Sequence, residues 1–198
     1  MKITLNRTWT YLGLWLAAAV MALMLALVSP NEASVMGHWP SFMSQTLSHQ
    51  PIALPQGLPS ERTLALITFQ RDHRAQADSW IEGLNLQNDT SISWVRVPVL
   101  NDPGTVIGRS AAESRLLKNY PADKERDKLV PVFTDRAEFV RSTGLNGVGQ
   151  AYAVVVNRQG EVLARVGGQF DADKAQLLRE TLGQTLQGTP KPDGLAGF

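Results

Sequence analysis

No cysteine occurs among the 198 residues. That absence removes a thiol nucleophile, a CxxC redox pair, cysteine-ligated zinc or iron–sulfur clusters, and a lipid-carrying cysteine. A charge surplus is missing as well. With Lys2, Arg7 and Glu32 set aside, 17 bases face 17 acids after residue 33. A nucleic-acid binder needs a basic excess to displace counterions, so duplex or single-strand binding is excluded as the main role. The chain holds no G-x-S-x-G, P-loop or H-E-x-x-H motif, which leaves a serine hydrolase, an NTPase and a zincin without their machinery. Histidine is scarce, and His38, His49 and His73 have no ligand-like spacing, so no metal and no cofactor is expected. Repeats and low-complexity tracts are also absent. What remains, 43% hydrophobic with 16 Gly and 11 Pro, fits one globular domain with an appended segment.

The appended segment is N-terminal. Residues 12–28, LGLWLAAAVMALMLALV, carry no charged side chain. As a helix they reach roughly 25 Å, and Trp9 and Tyr11 extend this to about 30 Å as an interfacial collar, enough to span a bilayer. Lys2 and Arg7 precede the run while Pro30, Asn31 and Glu32 follow it. The positive-inside bias then puts the N-terminus in the cytoplasm and the rest of the chain across the membrane. Residues 1–33 read as a signal anchor or as a cleaved signal peptide ending at Ala33. Both place the remainder in the periplasm, either as a single-pass protein of a bacterial inner membrane or as a secreted one. Residues 34–60 read as a Pro/Ser-rich tether, because Pro40, Pro51, Pro55 and Pro59 break any long helix. Within it, Phe42, Met43 and Leu47 offer a short helical turn, and residues 52–58 an extended arm.

The domain proper is expected over residues 61–187. TLALITF at 63–69 is an unalternating apolar run, which suits a central strand covered on both faces. Ala77, Trp80, Ile81 and Leu84 recur at helical spacing within 75–87. SISWVRVPVL at 91–100 alternates as a strand, with Pro98 favouring a free edge. A helix over 105–119 is capped by Thr105 and has Ile107, Ala111, Leu116 and Leu117 as apolar positions. KNYPADKERDK at 118–128 reads as a solvated loop. A short strand at 129–133, an Asp135 cap and a short helix using Phe139 and Val140 follow. AYAVVV, the turn NRQG and a second strand to Val166 make a hairpin. Asp171 caps a last helix, 172–187, and 188–198 is a flexible tail. Strands separated by helices and closed by a hairpin predict a mixed α/β sheet with helices on both faces.

That order, with VPVFTDRAEFVRSTGL feeding a strand and AYAVVVNRQGEVLARVGG closing the sheet before an acid-capped helix, resembles the thioredoxin-like superfamily. Within it, a first strand ending in Phe and a helix bearing Trp80 are similar to the mitochondrial inner-membrane ATP synthase assembly factor family and its bacterial relatives. The resemblance implies a thioredoxin-like domain, but the catalytic residues do not carry over. Where active members place CxxC, this chain has Arg74, Ala75, Gln76 and Ala77 or thereabouts, and Gly149 stands where they place a cis-proline. Without a thiol the chain runs no thiol exchange. The resemblance therefore implies a non-catalytic, redox-inactive domain that binds another protein of the membrane or envelope, in membrane-complex assembly.

The candidate binding face is Arg71, His73 and Arg74 at the start of the first helix, together with Gly147, Gly149 and Gln150. A helix N-terminus bearing arginines also suits an anion. An anion or small-molecule binder, or an enzyme with non-thiol chemistry on the same loop, is thus the alternative, and a purely structural envelope protein is a third reading. Asp72 as part of a cap gives the loop a plain structural role. GLNGVG at 144–149 precedes a strand instead of following one, so it is a turn and no dinucleotide fingerprint.

Overall fold

The computed structural model describes residues 35–183. The expected membrane segment 12–28, the tail 188–198 and the last turn of the final helix lie outside the described residues. Among those described, no helix is long and apolar enough to cross a membrane.

Among the described residues, eight strands and five helices follow in order: β1 (Gly37–His38), β2 (Phe42–Gln45), β3 (Pro51–Leu54), β4 (Arg62–Thr68), α1 (His73–Gly83), β5 (Trp94–Asn101), α2 (Val106–Asn119), α3 (Asp123–Asp127), β6 (Val132–Thr134), α4 (Arg136–Thr143), β7 (Tyr152–Asn157), β8 (Glu161–Gly167) and α5 (Ala172–Gly183). Six strands form one sheet in the order β1-β8-β7-β4-β5-β6, and β2 and β3 form a separate ribbon. β4 runs parallel to β5 and antiparallel to β7, so the helix-linked crossover and the hairpin meet on the central strand, as the element order requires.

Alternation divides the sheet into two buried faces. Ala65 and Ile67 of β4, Val97 and Val99 of β5, and Val154 and Val156 of β7 share one core with Phe139 of α4. The intervening Leu64, Leu66 and Val155 point the other way and are also fully buried. α1 and α5 contact β4 and β7, and α4 packs on β5 and β1, so helices cover both faces. α4 is framed as its sequence dictates: the Asp135 carboxylate accepts from the Ala137 and Glu138 amides, and Gly144 closes it at φ +70°.

Five expectations are corrected. Residues 34–60 are no tether. β1 pairs with β8, β2–β3 forms a hairpin, and Trp39, Leu47, Leu54 and Leu58 are buried. The prolines mislead because they sit where a ribbon tolerates them: Pro51 is the first residue of β3 and Pro55 follows its last. The helical turn expected around Phe42 and Met43 is strand β2. α2 does not bury Ile107 or Ala111: Val106 and Ile107 are 85% and 84% exposed, and only Leu116 and Leu117 lean on the small core of Leu47, Tyr120 and Leu129. The expected solvated loop 118–128 contains α3 and the buried Tyr120. Finally, β5 is flanked by β4 and β6, so Pro98 lies on no free edge. Its missing N–H falls between the Arg96–Leu129 bridge and the Val99–Val132 pair, where the β5–β6 ladder is interrupted.

Candidate functional site

The site region is the junction between the C-terminal end of β4 and the start of α1. Phe69 is the last buried residue of the strand, Gln70, Arg71 and Asp72 are exposed, and the helix begins at His73. The residues that the resemblance sets at the dithiol position, Arg74 to Ala77, lie within the first turns of α1, with Ala77 buried, and Arg71, Asp72 and His73 immediately precede them at the junction.

The candidate residues separate once placed. His73 is buried, and its Nδ1 accepts the Phe69 N–H at 3.3 Å, closing the strand–helix turn from inside. Its own amide and that of Arg74 donate to the Gln70 and Arg71 carbonyls. Those two N–H groups are thus spent within the turn, which weakens the junction as an anion cradle. Arg74 turns toward the end of α2, where Nη1 donates to the Asn119 carbonyl at 2.6 Å and the guanidinium lies 4.4 Å above the Tyr120 ring. Arg71 alone of the three projects into solvent.

On the opposite flank of α1 the glycine loop comes close. The Gln70 amide donates to the Val148 carbonyl at 3.4 Å, and Gln76 Oε1 accepts the Ala151 N–H at 2.7 Å. A side chain added at Gly147 or Gly149 would meet nothing, so this loop is open. Gln150 packs under Gly167, where an added Cβ would strike its amide. The structure thus brings Gln70, the neighbour of Arg71, to Val148 in the loop of Gly147 and Gly149, and sets His73, Arg74 and Gln150 to structural tasks. The surface that results is a small mixed patch of Gln70, Arg71, Asp72 and Val148. It holds hydrogen-bonding groups and one apolar side chain, and no nucleophile among them.

Sequence reasoning missed the strongest polar cluster. Arg96, in the middle of β5, is buried and donates to Asp78 Oδ1 at 2.6 Å and to the Tyr120 hydroxyl at 3.1 Å. Arg74 reaches the other Asp78 oxygen at 3.5 Å, so one carboxylate and one phenol hold two guanidiniums. The signal was an arginine inside an apolar strand, which needs a buried partner. The i, i+4 pair of Arg74 and Asp78 was the partner in view. Among the described residues no cluster of three or more His, Asp or Glu side chains is placed to hold a metal ion.

No family model matches the sequence, and no curated protein matches it. Solved structures do match in shape. A candidate electron transfer protein of Aquifex aeolicus VF5 superposes with a TM-score of 0.53 at 11% identity, over 78% of this chain and 98% of its own. A candidate electron transport protein from the same organism gives 0.52 at 10% identity, over 76% and 99%. BsSco, a member of the Sco family of cytochrome c oxidase assembly proteins in which a disulfide switch is described, gives 0.50 at 15% identity, over 73% and 91%. The fold of this chain is thioredoxin-like, without a cysteine to work it.

Proposed function

We propose that this chain is a thioredoxin-like protein that performs no catalysis, is held at the periplasmic face of a bacterial inner membrane through residues 12–28, and binds another protein in the assembly of a membrane complex. One observation carries the reading: the junction that would hold a dithiol presents Arg71, Asp72, His73 and Arg74, with His73 and Arg74 committed to holding the turn and α2 in place. A site rebuilt from structural contacts keeps a shape and discards a reaction. The Sco family relationship of BsSco to an assembly role, carried on fold alone, agrees with this reading.

The face offered to the partner is Gln70 and Arg71 with the open loop at Val148 and Gly149. The anion-binding alternative finds less support, since the first amides of α1 are occupied and only Arg71 of the basic residues is free to meet a ligand. The test is capture from detergent-solubilised membranes with the full chain, native against the double variant Arg71→Glu, Val148→Glu. Both positions are exposed, so the fold tolerates the change. Loss of a protein that the native chain retains supports the face. An identical set of captured proteins refutes it.

A further inference from the structure

Asn followed by Gly occurs once in the chain, at Asn146 and Gly147. In such a pair the backbone N–H after the asparagine is screened by no Cβ, which leaves that nitrogen open to reach back to the carboxamide. The pair lies in the loop 146–150 between α4 and β7. Both ends of this loop are pinned: Leu145 is buried with its N–H on the Val140 carbonyl, and the Ala151 N–H donates to Gln76 Oε1. Between the pins it is free. Asn146 is exposed, Gly147 stands at φ +128°, and a Cβ added there would meet nothing. Among the described residues, neither the Asn146 carboxamide nor the Gly147 N–H has a hydrogen-bond partner.

The other described asparagines are held or screened. Asn157 is buried, its Nδ2 donates to Glu161 Oε2, its Oδ1 accepts the Glu161 N–H, and Arg158 follows it. Asn88 Nδ2 donates to Asn85 Oδ1, with Asp89 and Leu86 as the residues that follow. Asn101 and Asn119 precede Asp102 and Tyr120.

We propose that Asn146 is a site of spontaneous modification, and that its conversion to aspartate and isoaspartate disables the partner face. The Gly147 nitrogen attacks Asn146 Cγ. A bond between them forms, the Cγ–Nδ2 bond breaks, and Nδ2 departs as ammonia with the proton that the Gly147 amide gives up. Water then opens the resulting succinimide ring. Addition at Cγ restores the native backbone with an aspartate side chain, whereas addition at the main-chain carbonyl of residue 146 leaves isoaspartate, whose main chain is one atom longer. The net exchange is NH₂ for OH, with no oxidant or reductant. Loss of the amide proton starts it, so the rate rises with pH.

Both products put a carboxylate two residues from Val148, whose carbonyl accepts the Gln70 amide at 3.4 Å. The patch of Gln70, Arg71, Asp72 and Val148 holds one charge of each sign, and the new one leaves it acidic. In isoaspartate the added main-chain atom falls in a short loop fixed at both ends, so Val148 must shift. The fold is spared, because no side chain in 146–150 is buried.

The effect on binding rests on the partner reading above; the chemistry stands apart from it. The purified full chain in detergent is warmed at neutral and at mildly alkaline pH, then cut with trypsin. The peptide from Ser142 to Arg158 carries both Asn146 and Asn157, so one mass spectrum compares them, and electron-transfer fragmentation separates isoaspartate from aspartate. Asn146 should convert at least about tenfold faster than Asn157 and faster still at the higher pH. The aged chain should lose partner capture from solubilised membranes in proportion to its converted fraction, with an unchanged melting point. Asn146→Gln, which would need a six-membered ring, should stay unmodified and keep its partner. Conversion at Asn146 no faster than at Asn157 overturns the site. Conversion that leaves capture unchanged, or that lowers the melting point along with it, overturns the effect on the face and keeps the partner reading. A fresh chain that captures nothing overturns that reading together with the effect, while the mass spectrum still decides the site.

Discussion

Trp39 decides whether residues 34–60 belong to the domain. Its ring is 1% exposed and meets Phe139 edge-on at 5.2 Å, and its amide donates to the Gly160 carbonyl at 2.6 Å. A buried tryptophan truncated to alanine ordinarily costs about 3–5 kcal/mol. This one carries an opposing term, because its indole Nε1–H is buried without a partner. Such a donor withholds about 1 kcal/mol or more, which its removal returns. Trp39→Ala should then cost about 2–4 kcal/mol. At about 2–4 °C of Tm per kcal/mol for a domain of this size, the melting point should fall by roughly 5–15 °C. Trp39→Phe keeps most of the ring contact and deletes the orphan donor, so it should lie within about 1 kcal/mol of the native chain. Thermal unfolding of the full chain in detergent, followed by circular dichroism, reads both. An alanine variant indistinguishable from native would refute the packing of the N-terminal ribbon and restore a tether.

Two further outcomes follow from the polar contacts. Asp78→Ala strands the buried Arg96 and should cost about 2–4 kcal/mol, while Arg96→Met, which leaves a partly exposed carboxylate beside Arg74, should cost less; urea denaturation showing the reverse order would contradict the cluster. The Asp102 carboxyl is held below the usual aspartate range, chiefly by the Arg109 side chain and then by the Gly104 N–H. With the folded value depressed, its contribution to stability is present above the ordinary aspartate range and is lost as pH falls through the lowered value. A carbon-13 NMR titration should show Arg109→Ala returning its midpoint upward, and an unchanged midpoint would dismiss the pair.

The fold was legible where period and composition speak locally. The apolar run of β4, the valines of β7, the NRQG turn and the Asp135 cap each contain their own reason for the element they form. Three features were not local. Trp39 and Leu54 need a partner about 85 or more residues away, Phe139, to reveal their burial, and the prolines around them imitate a linker. α2 has an amphipathic spacing, yet the sheet ends at β6 and offers nothing to cover its first turn, so Val106 and Ile107 stand in solvent. The candidate site was half legible for the same reason. RDHR marks the junction, but only the placement of Tyr120 and Asn119 shows that Arg74 turns away from the glycine loop.

The central claim is that the chain retains a redox protein's architecture and acts through association. The most direct measurement is the amount of partner recovered per mole of full chain from solubilised membranes, in dithiothreitol and, separately, after thiol blocking. The account predicts one partner at a fixed ratio in both conditions, since this side of the interface has no thiol to reduce or block. Recovery of no protein above the level given by an unrelated anchored domain would contradict it.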